Sequence, residues 1–413
     1  MRMRLAWCSG LAVIAILMLG SARPAAAQQP TGQVVRLGDG QTLTISGFIN
    51  ATWFINSGRF GGFGQGQNAE WADSTQPATD KTILDGDVRN TRINFTFNGQ
   101  PVLGKFSPRA VLEADFFGAF NGTPPFGDEQ AQLRLRFAYV DLTNGRTTLR
   151  IGQFWSPLFG AVPASLSHVA FPLGYGSAGK VGWRYPGVYL YHDLTVGKPV
   201  TIQLQLAAFE GSGPVAVGAD PAGAPATVGQ GEASGMPQLE ALLSFTKRSA
   251  TLSWNAYIVG HVDWKDTSAV GVASDNMTGT AVEVGGSINP GKVTVQGNFY
   301  SGKAIGQQFG HISQQGDVKG WGGWLQGGYD FTPRWSLWAF YGVDDPKEAD
   351  SPGLPARARV KNEDVSGMLR FRAGRYALGL ELLRANTTWR PTVGGATFKQ
   401  DATQVALTVM YTF

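Results

Sequence analysis

Apolar and polar residues alternate along most of this chain, and a period of two is typical of β-strands with one apolar face. The last segment is the clearest, because Val405, Leu407 and Val409 fall on one face while Ala406 and Thr408 fall between them. Helix-type periodicity is almost absent, so the pattern predicts an all-β fold of sixteen strands. The predicted strands cover residues 43–54, 89–98, 106–117, 132–142, 147–154, 180–191, 200–210, 237–247, 250–262, 280–288, 292–300, 321–331, 334–343, 364–372, 375–386 and 402–413.

The connections between these segments alternate between short and long. Short turns include 143–146 and 289–291, and long polar or glycine- and proline-rich loops include 56–88 and 211–235. Transmembrane β-barrels of the outer membrane show this asymmetry, with tight periplasmic turns and extended outer loops. A sheet exposed to lipid must close, since each unpaired backbone group in hydrocarbon costs several kcal/mol. The pattern therefore predicts a closed antiparallel barrel with both termini on the periplasmic side.

Aromatic residues cluster near the ends of the predicted strands. Phe331 and Trp335 flank one short turn, and Tyr411 and Phe413 end the last strand. Tyrosine and tryptophan favour the lipid headgroup boundary because part of the ring is apolar and part forms hydrogen bonds. We therefore expect an aromatic girdle at each boundary. The members expected at the outer boundary are Trp53, Trp254 and Tyr341.

The amino terminus has the three parts of a secretory signal peptide. Met1–Arg4 is basic, Leu11–Leu19 is apolar but too short to span a bilayer, and Ala25–Ala27 supplies a cleavage site. A retained anchor helix is the alternative, but the short apolar run and the cleavage site argue against it. We predict a signal peptide at 1–27, a short periplasmic segment at 28–42 and a barrel domain at 43–413.

Cleavage at this site would change the charge of the protein and remove its thiol. The chain has 34 basic and 30 acidic residues, and losing Arg2, Arg4 and Arg23 leaves 31 basic residues against 30. The basic excess then gives no argument for nucleic-acid binding. Cleavage also removes Cys8, the only cysteine, which excludes a disulfide or a thiolate metal site. We expect no cofactor, no metal and no catalytic residue.

Three stretches in the first half carry a family resemblance. They are Leu112–Gly118, Leu133–Val140 and Ile151–Ser156, and together they resemble the DcaP-like branch of the Gram-negative porins. The resemblance implies a 16-stranded homotrimeric channel for dicarboxylates and other small anions. It departs from the branch at Phe137, where relatives often have histidine, and in the Arg-Tyr-Pro-Gly of 184–187. The terminal Tyr-x-Phe is similar to the signal that the barrel-assembly machinery recognises, which makes Phe413 its expected contact.

The third long connection is expected to narrow the barrel. In porins of this class the third outer loop folds inward, and here it would run from Trp155 to Gly179 with His168 near its middle. This stretch contains no aspartate and no glutamate. A constriction loop without acidic groups should not repel anions, and Trp155 and His168 are its candidate constriction residues.

Six arginines occupy polar-face positions on five consecutive predicted strands. Guanidinium groups stay charged at biological pH and present forked donors that match carboxylates. A row of them in a confined aqueous pore would concentrate anions. Glu113 and Asp115 lie on the same wall and would moderate its field. The candidate anion path consists of Arg92, Arg109, Arg134, Arg136, Arg150 and Arg184.

Other interpretations of these charges remain open. The arginines could pair with neighbouring carboxylates as structural struts, which would leave a non-selective general diffusion porin. Glu240, Glu283 and Glu381 are expected to face the lumen from the far wall and to create a transverse field. A non-conducting adhesin, a soluble secreted β-sandwich and an outer-membrane enzyme are less favoured. For an enzyme, adjacent Ser167 and His168 on a strand would point apart, and no G-x-S-x-G surrounds any serine.

The expected partners follow from the predicted channel. They are small anionic or polar solutes, outer-membrane lipid and lipopolysaccharide, the barrel-assembly machinery and two further copies of the chain. The trimer is implied by the family resemblance, and the amino-acid composition does not indicate it.

Overall fold

The computed structural model describes most of the chain after its amino terminus. The predicted signal peptide lies outside the described residues. These are residues 32–61, 67, 70–74, 82–118, 131–211, 229–249, 251–266, 276–305, 317–347, 358–391 and 395–413.

The described residues form antiparallel strands that mostly pair with their neighbours along the chain. A 3₁₀ turn covers Pro157–Phe159, and helix α1 covers Gln230–Ala233. Within the described part of the chain, no helix has the length and apolar character needed to cross a membrane. The strands are β1 (Gln33–Gly38), β2 (Gln41–Ser57), β3 (Thr82–Asp87), β4 (Arg92–Asn98), β5 (Ser107–Asp115), β6 (Arg134–Asn144), β7 (Thr147–Trp155), β8 (Arg184–Asp193), β9 (Thr201–Phe209), β10 (Gln238–Lys247), β11 (Leu252–Asp266), β12 (Asn276–Pro290), β13 (Val293–Lys303), β14 (Lys319–Asp330), β15 (Trp335–Pro346), β16 (Ala358–Ala373), β17 (Tyr376–Arg390) and β18 (Phe398–Thr412).

Strands β2 to β18 close into a barrel, because β18 pairs with both β17 and β2. β3 and β4 both pair with β2, so they form one interrupted wall strand and the wall has sixteen strands. Phe413 completes the seam, since its N–H and C=O bond to Gly47 at 3.0 and 3.1 Å. The predicted sixteen-stranded antiparallel barrel is confirmed.

The two ends of the barrel differ as predicted. One end carries tight turns whose glycines have positive φ, such as Gly145 at 57° and Gly374 at 61°. We call it the turn end, and residues 33 and 413 lie there. The opposite end carries the long connections, such as those between β7 and β8 and between β9 and β10. We call it the loop end.

The alternation does not predict β1, which pairs with the first residues of β2. The two strands are joined at Asp39 and Gly40, which have φ values of 44° and 70°. Aspartate and glycine tolerate positive φ better than other residues, so this Asp-Gly pair is the sequence signal for the hairpin. β1 lies within the segment predicted at 28–42 and covers the edge of β2 beyond the end of β18.

The wall strands are apolar outside and polar inside, as the alternation predicts. On β2, Ile49 and Trp53 are 52% and 65% exposed, whereas Asn50 and Thr52 between them are buried. The apolar side chains therefore face the lipid, and the polar ones face the interior.

The aromatic girdle follows the prediction except at one residue. At the turn end, the rings of Tyr376 and Tyr411 lie 4.7 Å apart between centroids. Trp53 and Tyr341 lie towards the loop end. Trp254 was expected there too, but it pairs with Lys247 close to the start of β11. Because β11 follows a short turn, its first residues lie at the turn end, and the predicted position of Trp254 is wrong.

The connection between β7 and β8, residues 156–183, folds into the barrel, and we call it loop L3. The interior packing is built between L3 and the wall, for example where Leu158 and Val181 contact Tyr257 and Val259. Gly179 lies so close to β14 that a Cβ there would come within 2.3 Å of the Gly323 backbone. Glycine at this contact lets L3 lie directly against the wall, which confirms the predicted inward-folded third loop.

Candidate functional site

Loop L3 is held in the barrel by carboxylates of the wall. Glu381 on β17 accepts three hydrogen bonds, from Ser165 Oγ at 2.6 Å, Leu166 N at 2.7 Å and Ser167 N at 2.8 Å. These residues belong to no helix or strand. Hydrogen bonds to an ionised acceptor are among the stronger ones in proteins, so Glu381 fixes the middle of L3.

Glu240 on β10 fixes the start of L3. Its Oε2 accepts from Leu158 N at 2.7 Å, and its Oε1 bonds to His261 Nδ1 at 2.8 Å. His261 Nε2 lies 3.6 Å from Asp263 Oδ2, and Lys265 Nζ donates to Asp263 at 2.5 Å. A buried row of alternating charges thus runs from L3 towards the loop end.

Glu283 on β12 holds loop L3 indirectly, through a tyrosine. Its Oε1 accepts from the Tyr257 hydroxyl at 2.6 Å, and the Tyr257 oxygen accepts from Ala161 N at 2.9 Å.

The three glutamates of the far wall therefore have a different environment from the predicted one. Alternation places Glu240, Glu283 and Glu381 correctly on the inward face, but they are only 3%, 0% and 2% exposed. L3 covers them, because they bind its amides directly or through a tyrosine. They hold the constriction loop and do not border open lumen as an acidic surface.

Two ionisable groups at L3 have shifted pKa values. Lys180 is fully buried, with Nζ 3.5 Å from the centroid of the Phe159 ring, and burial lowers the pKa of Lys180 to about 7. Glu70, from the connection between β2 and β3, accepts from Gly174 N at 2.7 Å. Burial, and then the nearby Asp364 carboxylate, raise the pKa of Glu70 well above its usual range.

The six candidate arginines lie on β4 to β8, and we call this inward face the arginine wall. Arg134 donates to both oxygens of Asp115, at 2.9 and 2.6 Å. Arg136 bridges Glu113 at 2.7 Å and Asp115 at 2.8 Å, and it is 2% exposed. The structure thus brings together both predicted acidic residues and the two arginines, as a buried strut beneath L3.

Arg150 on β7 is also paired. It binds both oxygens of Asp141, at 2.7 and 3.0 Å, and lies 3.8 and 3.9 Å from the ring centroids of Tyr139 and Phe154. The pair adds no net charge to the wall.

Arg92 and Arg109 lie at different heights on the wall. Arg92 Nη2 donates to the L3 carbonyl of Val169 at 2.8 Å, and its Nε lies 3.7 Å from Glu113. Arg109 is exposed near the turn end, and no described residue forms an ion pair with it. The six arginines therefore do not form one continuous row.

Arg184, the first residue of β8, is the unusual member. It is 4% exposed, and its guanidinium carbon lies 4.8 and 4.3 Å from the ring centroids of Trp155 and Trp183. Its Nε and Nη1 have no hydrogen-bond partner among the described residues. Both nitrogens are buried, so an anion reaches them only when the side chains that cover them move, and it would then be bound strongly because buried donors without acceptors are costly.

The charges around Arg184 do not cancel. The charges of Arg134, Arg136 and Asp115 interact electrostatically with the Arg184 guanidinium. Four guanidinium groups face two carboxylates here, an excess of two positive charges in a poorly hydrated space. The residues are Arg92, Arg134, Arg136 and Arg184 against Glu113 and Asp115.

The two candidate constriction residues have different surroundings. Trp155 ends β7 and stacks on Phe159 with 3.5 Å between ring centroids. His168 is 2% exposed, with Nδ1 2.8 Å from Ser167 Oγ and Nε2 3.9 Å from Glu70 Oε1. The expectation that Ser167 and His168 point apart is wrong, because they lie in a loop and not on a strand. Ser167 is completely buried, so this contact holds L3 and offers a substrate no access.

A cavity of about 450 Å³ opens beside L3 and was missed by the sequence reasoning. Trp155 and Tyr257 border it, and its wall side carries neutral polar side chains such as Gln203, Gln205 and Asn255. The alternation places these residues on inward faces of β9 and β11. These residues carry no charge, so a search of the sequence for charged pore residues does not identify them. Uncharged polar residues are nevertheless suitable for lining a water-filled path.

The sequence matches a family model described as Gram-negative porin over residues 10–349. No curated protein sequence matches the chain significantly.

Solved structures of outer-membrane proteins share the fold. The DcaP outer-membrane channel of Acinetobacter baumannii has a TM-score of 0.64 at 20% identity, covering 93% of this chain and 100% of that one. The anion-selective porin from Comamonas acidovorans has a TM-score of 0.54 at 13% identity, and the match covers 90% of this chain and 100% of that one. The trimer form of OmpT of Vibrio cholerae has a TM-score of 0.52 at 11% identity, and the match covers 90% of this chain and 99% of that one. The predicted resemblance to the DcaP-like porins is confirmed at the level of the fold.

Proposed function

The chain belongs to the Gram-negative porins, and on this premise we propose that its barrel passes small hydrophilic anions, with a preference for dicarboxylates. The protein is an outer-membrane channel and not an enzyme. Its turn end faces the periplasm and its loop end faces outwards.

The observation that carries the proposal is the unpaired guanidinium of Arg184 within a positive cluster. The two nitrogens without acceptors, Nε and Nη1, lie on different edges of the guanidinium, so each can donate to one oxygen of an anionic solute, and the two do not form a fork for a single carboxylate. The excess of arginine over carboxylate around it lowers the energy of an anion that has lost part of its hydration. Trp155 and Trp183 hold the guanidinium plane in place and so reduce the cost of ordering it.

The cavity beside L3 supports passage and not tight binding. Its lining of Gln203, Gln205 and Asn255 can bond to a solute of either charge without trapping it. Conduction requires a solute to enter favourably and also to leave. We propose that anions are attracted by the arginine wall and move through this neutral region.

A non-selective general diffusion porin is the second candidate, and two observations favour it. Arg134, Arg136 and Arg150 are each bound to carboxylates, and the cavity beside L3 is neutral. In that case the paired arginines stabilise the wall, and Arg184 and the exposed Arg109 are the members of the candidate path that have no carboxylate partner among the described residues.

Titration of reconstituted channels with a small dicarboxylate tests the proposal. Succinate added to single channels in a planar bilayer should block the current in a saturable way, and Arg184→Gln should weaken the block about tenfold. Arg184→Lys keeps the charge, and its block by succinate should be intermediate between that of wild type and that of Arg184→Gln. Arg375 is an exposed arginine in a turn, and Arg375→Gln is the matched control. Succinate should block this variant as it blocks wild type. An equal block in the Arg184→Gln channel would favour the general porin.

We also propose that three copies assemble and that the assembly machinery recognises Phe413. Phe413 is the last residue of the seam strand and forms two backbone bonds to Gly47. Native mass spectrometry of detergent-extracted protein should show a trimer. Phe413→Ala should lower the amount of folded barrel in the membrane, while refolding of the purified variant in detergent should be nearly unchanged.

A further inference from the structure

Arg370 on β16 is an inward-facing arginine that does not belong to the arginine wall. It lies opposite Ser336 on β15 and Gly379 on β17. The chain neighbours of Ser336 and Arg370, Leu337 and Leu369, are 55% and 37% exposed and face the lipid. Successive side chains of a strand point to opposite faces, so Arg370 faces the interior.

Arg370 lies beneath the middle of L3, on the turn-end side. At Gly379, opposite Arg370, a Cβ atom would come within 2.8 Å of the Leu166 side chain. Leu166 also packs against Trp338 and Met368, which are the next inward residues of β15 and β16 towards the loop end. A solute that leaves the constriction towards the turn end therefore passes the part of the wall that carries Arg370.

Two contacts orient the guanidinium of Arg370 and leave one edge of it open. Nε donates to Ser336 Oγ at 3.2 Å, and the guanidinium carbon lies 4.9 Å from the centroid of the Trp338 ring. Nη1 and Nη2 are not buried and donate to no described residue. These two nitrogens form the end-on fork of an arginine, whose parallel N–H groups match the two oxygens of one carboxylate.

Neither of the carboxylates near Arg370 occupies this fork. Asp330 and Glu381 interact with Arg370 electrostatically, but Asp330 Oδ1 lies 3.7 Å from Arg372 Nη2. Glu381 accepts three hydrogen bonds from L3. The two cations and the two carboxylates balance, so an anion at the fork is held by local hydrogen bonds and not by a net positive field. Such a site can release its anion, as conduction requires.

Arg370 differs from Arg184 in position and in access. β8 and β16 are eight strands apart in the sixteen-stranded wall, so the two arginines lie across the lumen from each other. Arg184 begins a strand that starts at the loop end, whereas Arg370 lies close to the turn end of its strand. The unpaired donors of Arg184 are buried, whereas those of Arg370 are open to the lumen.

We infer that the Nη1–Nη2 fork of Arg370 binds one carboxylate of a passing solute, as a second anion station between L3 and the periplasm. The inference rests on the proposed anion preference and adds to it the chemical group that is recognised. A carboxylate forms both hydrogen bonds of the fork, whereas a chloride ion has no second oxygen to match it. Arg370 therefore raises the permeability of carboxylates relative to chloride.

The test measures the permeability of succinate relative to chloride. It is obtained from the reversal potential of reconstituted channels with potassium succinate on one side of a planar bilayer and KCl on the other. Arg370→Gln should lower this permeability ratio about threefold, the effect of one ion pair that stays partly hydrated. Arg370→Lys keeps the charge without the fork, so it should also lower the ratio while the reversal potential in a KCl gradient stays unchanged. Arg375→Gln, in an exposed turn of the same hairpin, is the matched control and should give wild-type values.

Four results would overturn the inference. Wild-type ratios in both Arg370 variants of a channel that is anion-selective in KCl would do so and leave the proposed function standing. A cation-selective wild type would overturn both. Arg370→Lys carries the test alone if Arg370→Gln does not fold, because an unchanged ratio in Arg370→Lys would show that charge suffices and that no fork is used. An equal fall of the ratio in Arg375→Gln would show a general effect of lost positive charge.

Discussion

The two inner walls of this barrel use buried charge in opposite ways. On the far wall, Glu240 and Glu381 accept amide hydrogen bonds from L3, so their charge is consumed in positioning a loop. On the arginine wall, Arg134 and Arg136 are bound to carboxylates, but Arg184 has two nitrogens without partners.

The comparison shows that inward position alone does not define a pore-lining charge. All of these residues lie on inward faces, yet Arg184 is the one among them whose charge has no bound partner in the described part of the chain. A paired charge contributes mainly to structure, because its field is largely cancelled by its partner. The paired charges of the two walls are therefore structural, and Arg184 is the buried charge that can act on a solute.

The largest expected effect is on stability, from Arg136→Ala. Its removal leaves Glu113 and Asp115 without one of their shared cationic partners in a buried site, which typically costs about 3–5 kcal/mol. Arg184→Ala removes no ion pair and should cost far less. Urea unfolding of both variants refolded into lipid vesicles would measure the difference. Equal losses of the free energy of unfolding would contradict the division of the arginine wall.

The next effect is on the position of L3, from Glu381→Ala. This change removes the acceptor of three hydrogen bonds, and each buried donor left unpaired costs about 1–3 kcal/mol. We expect L3 to move and the single-channel conductance to change by about twofold or more, with greater current noise. Glu381→Gln keeps one acceptor oxygen and is the graded control, with an intermediate effect. Wild-type conductance in both variants would show that Glu381 does not hold the loop.

The smallest expected effect is a pH-dependent difference in stability, caused by the Glu70 carboxyl group. Burial and Asp364 raise its pKa in the folded protein above the ordinary value of 4.5, so the folded state keeps this proton to higher pH than the unfolded state. Its contribution to stability is therefore complete below pH 4.5 and is lost as the pH rises through the raised pKa.

Glu70→Gln removes this loss and keeps an acceptor for Gly174 N. The variant should match wild type at pH 4 and melt about 2 °C higher at pH 8, followed by circular dichroism in detergent. Glu232→Gln, in the connection between β9 and β10, is a control outside L3. A variant that melts lower than wild type at pH 8 would show that Glu70 acts there as an ionised anchor.

Much of the barrel could be predicted from the sequence, because its alternation and its turns are local signals. The interruption between β3 and β4 could not, since it depends on a distant contact. Asn90 in this interruption donates to the Ser167 carbonyl of L3 at 2.9 Å and accepts from Ala170 N at 3.0 Å. These residues are far apart in the chain, so no local pattern marks the break.

The site was less predictable for the same reason. Alternation correctly placed the arginines and glutamates on inward faces, but it gave no information on which of them L3 would cover. Pairing also depends on register, as where Asp115 lies opposite Arg134 across β5 and β6. The neutral cavity wall required knowledge of the path of L3, which only the folded chain supplies.

The most direct test of the central claim is the reversal potential of the wild-type channel in a planar bilayer across a tenfold KCl gradient. We expect a potential whose sign indicates chloride selectivity; it should move towards zero in Arg184→Gln and stay unchanged in Arg375→Gln. A cation-selective potential, or one that Arg184→Gln leaves unaltered, would contradict the claim.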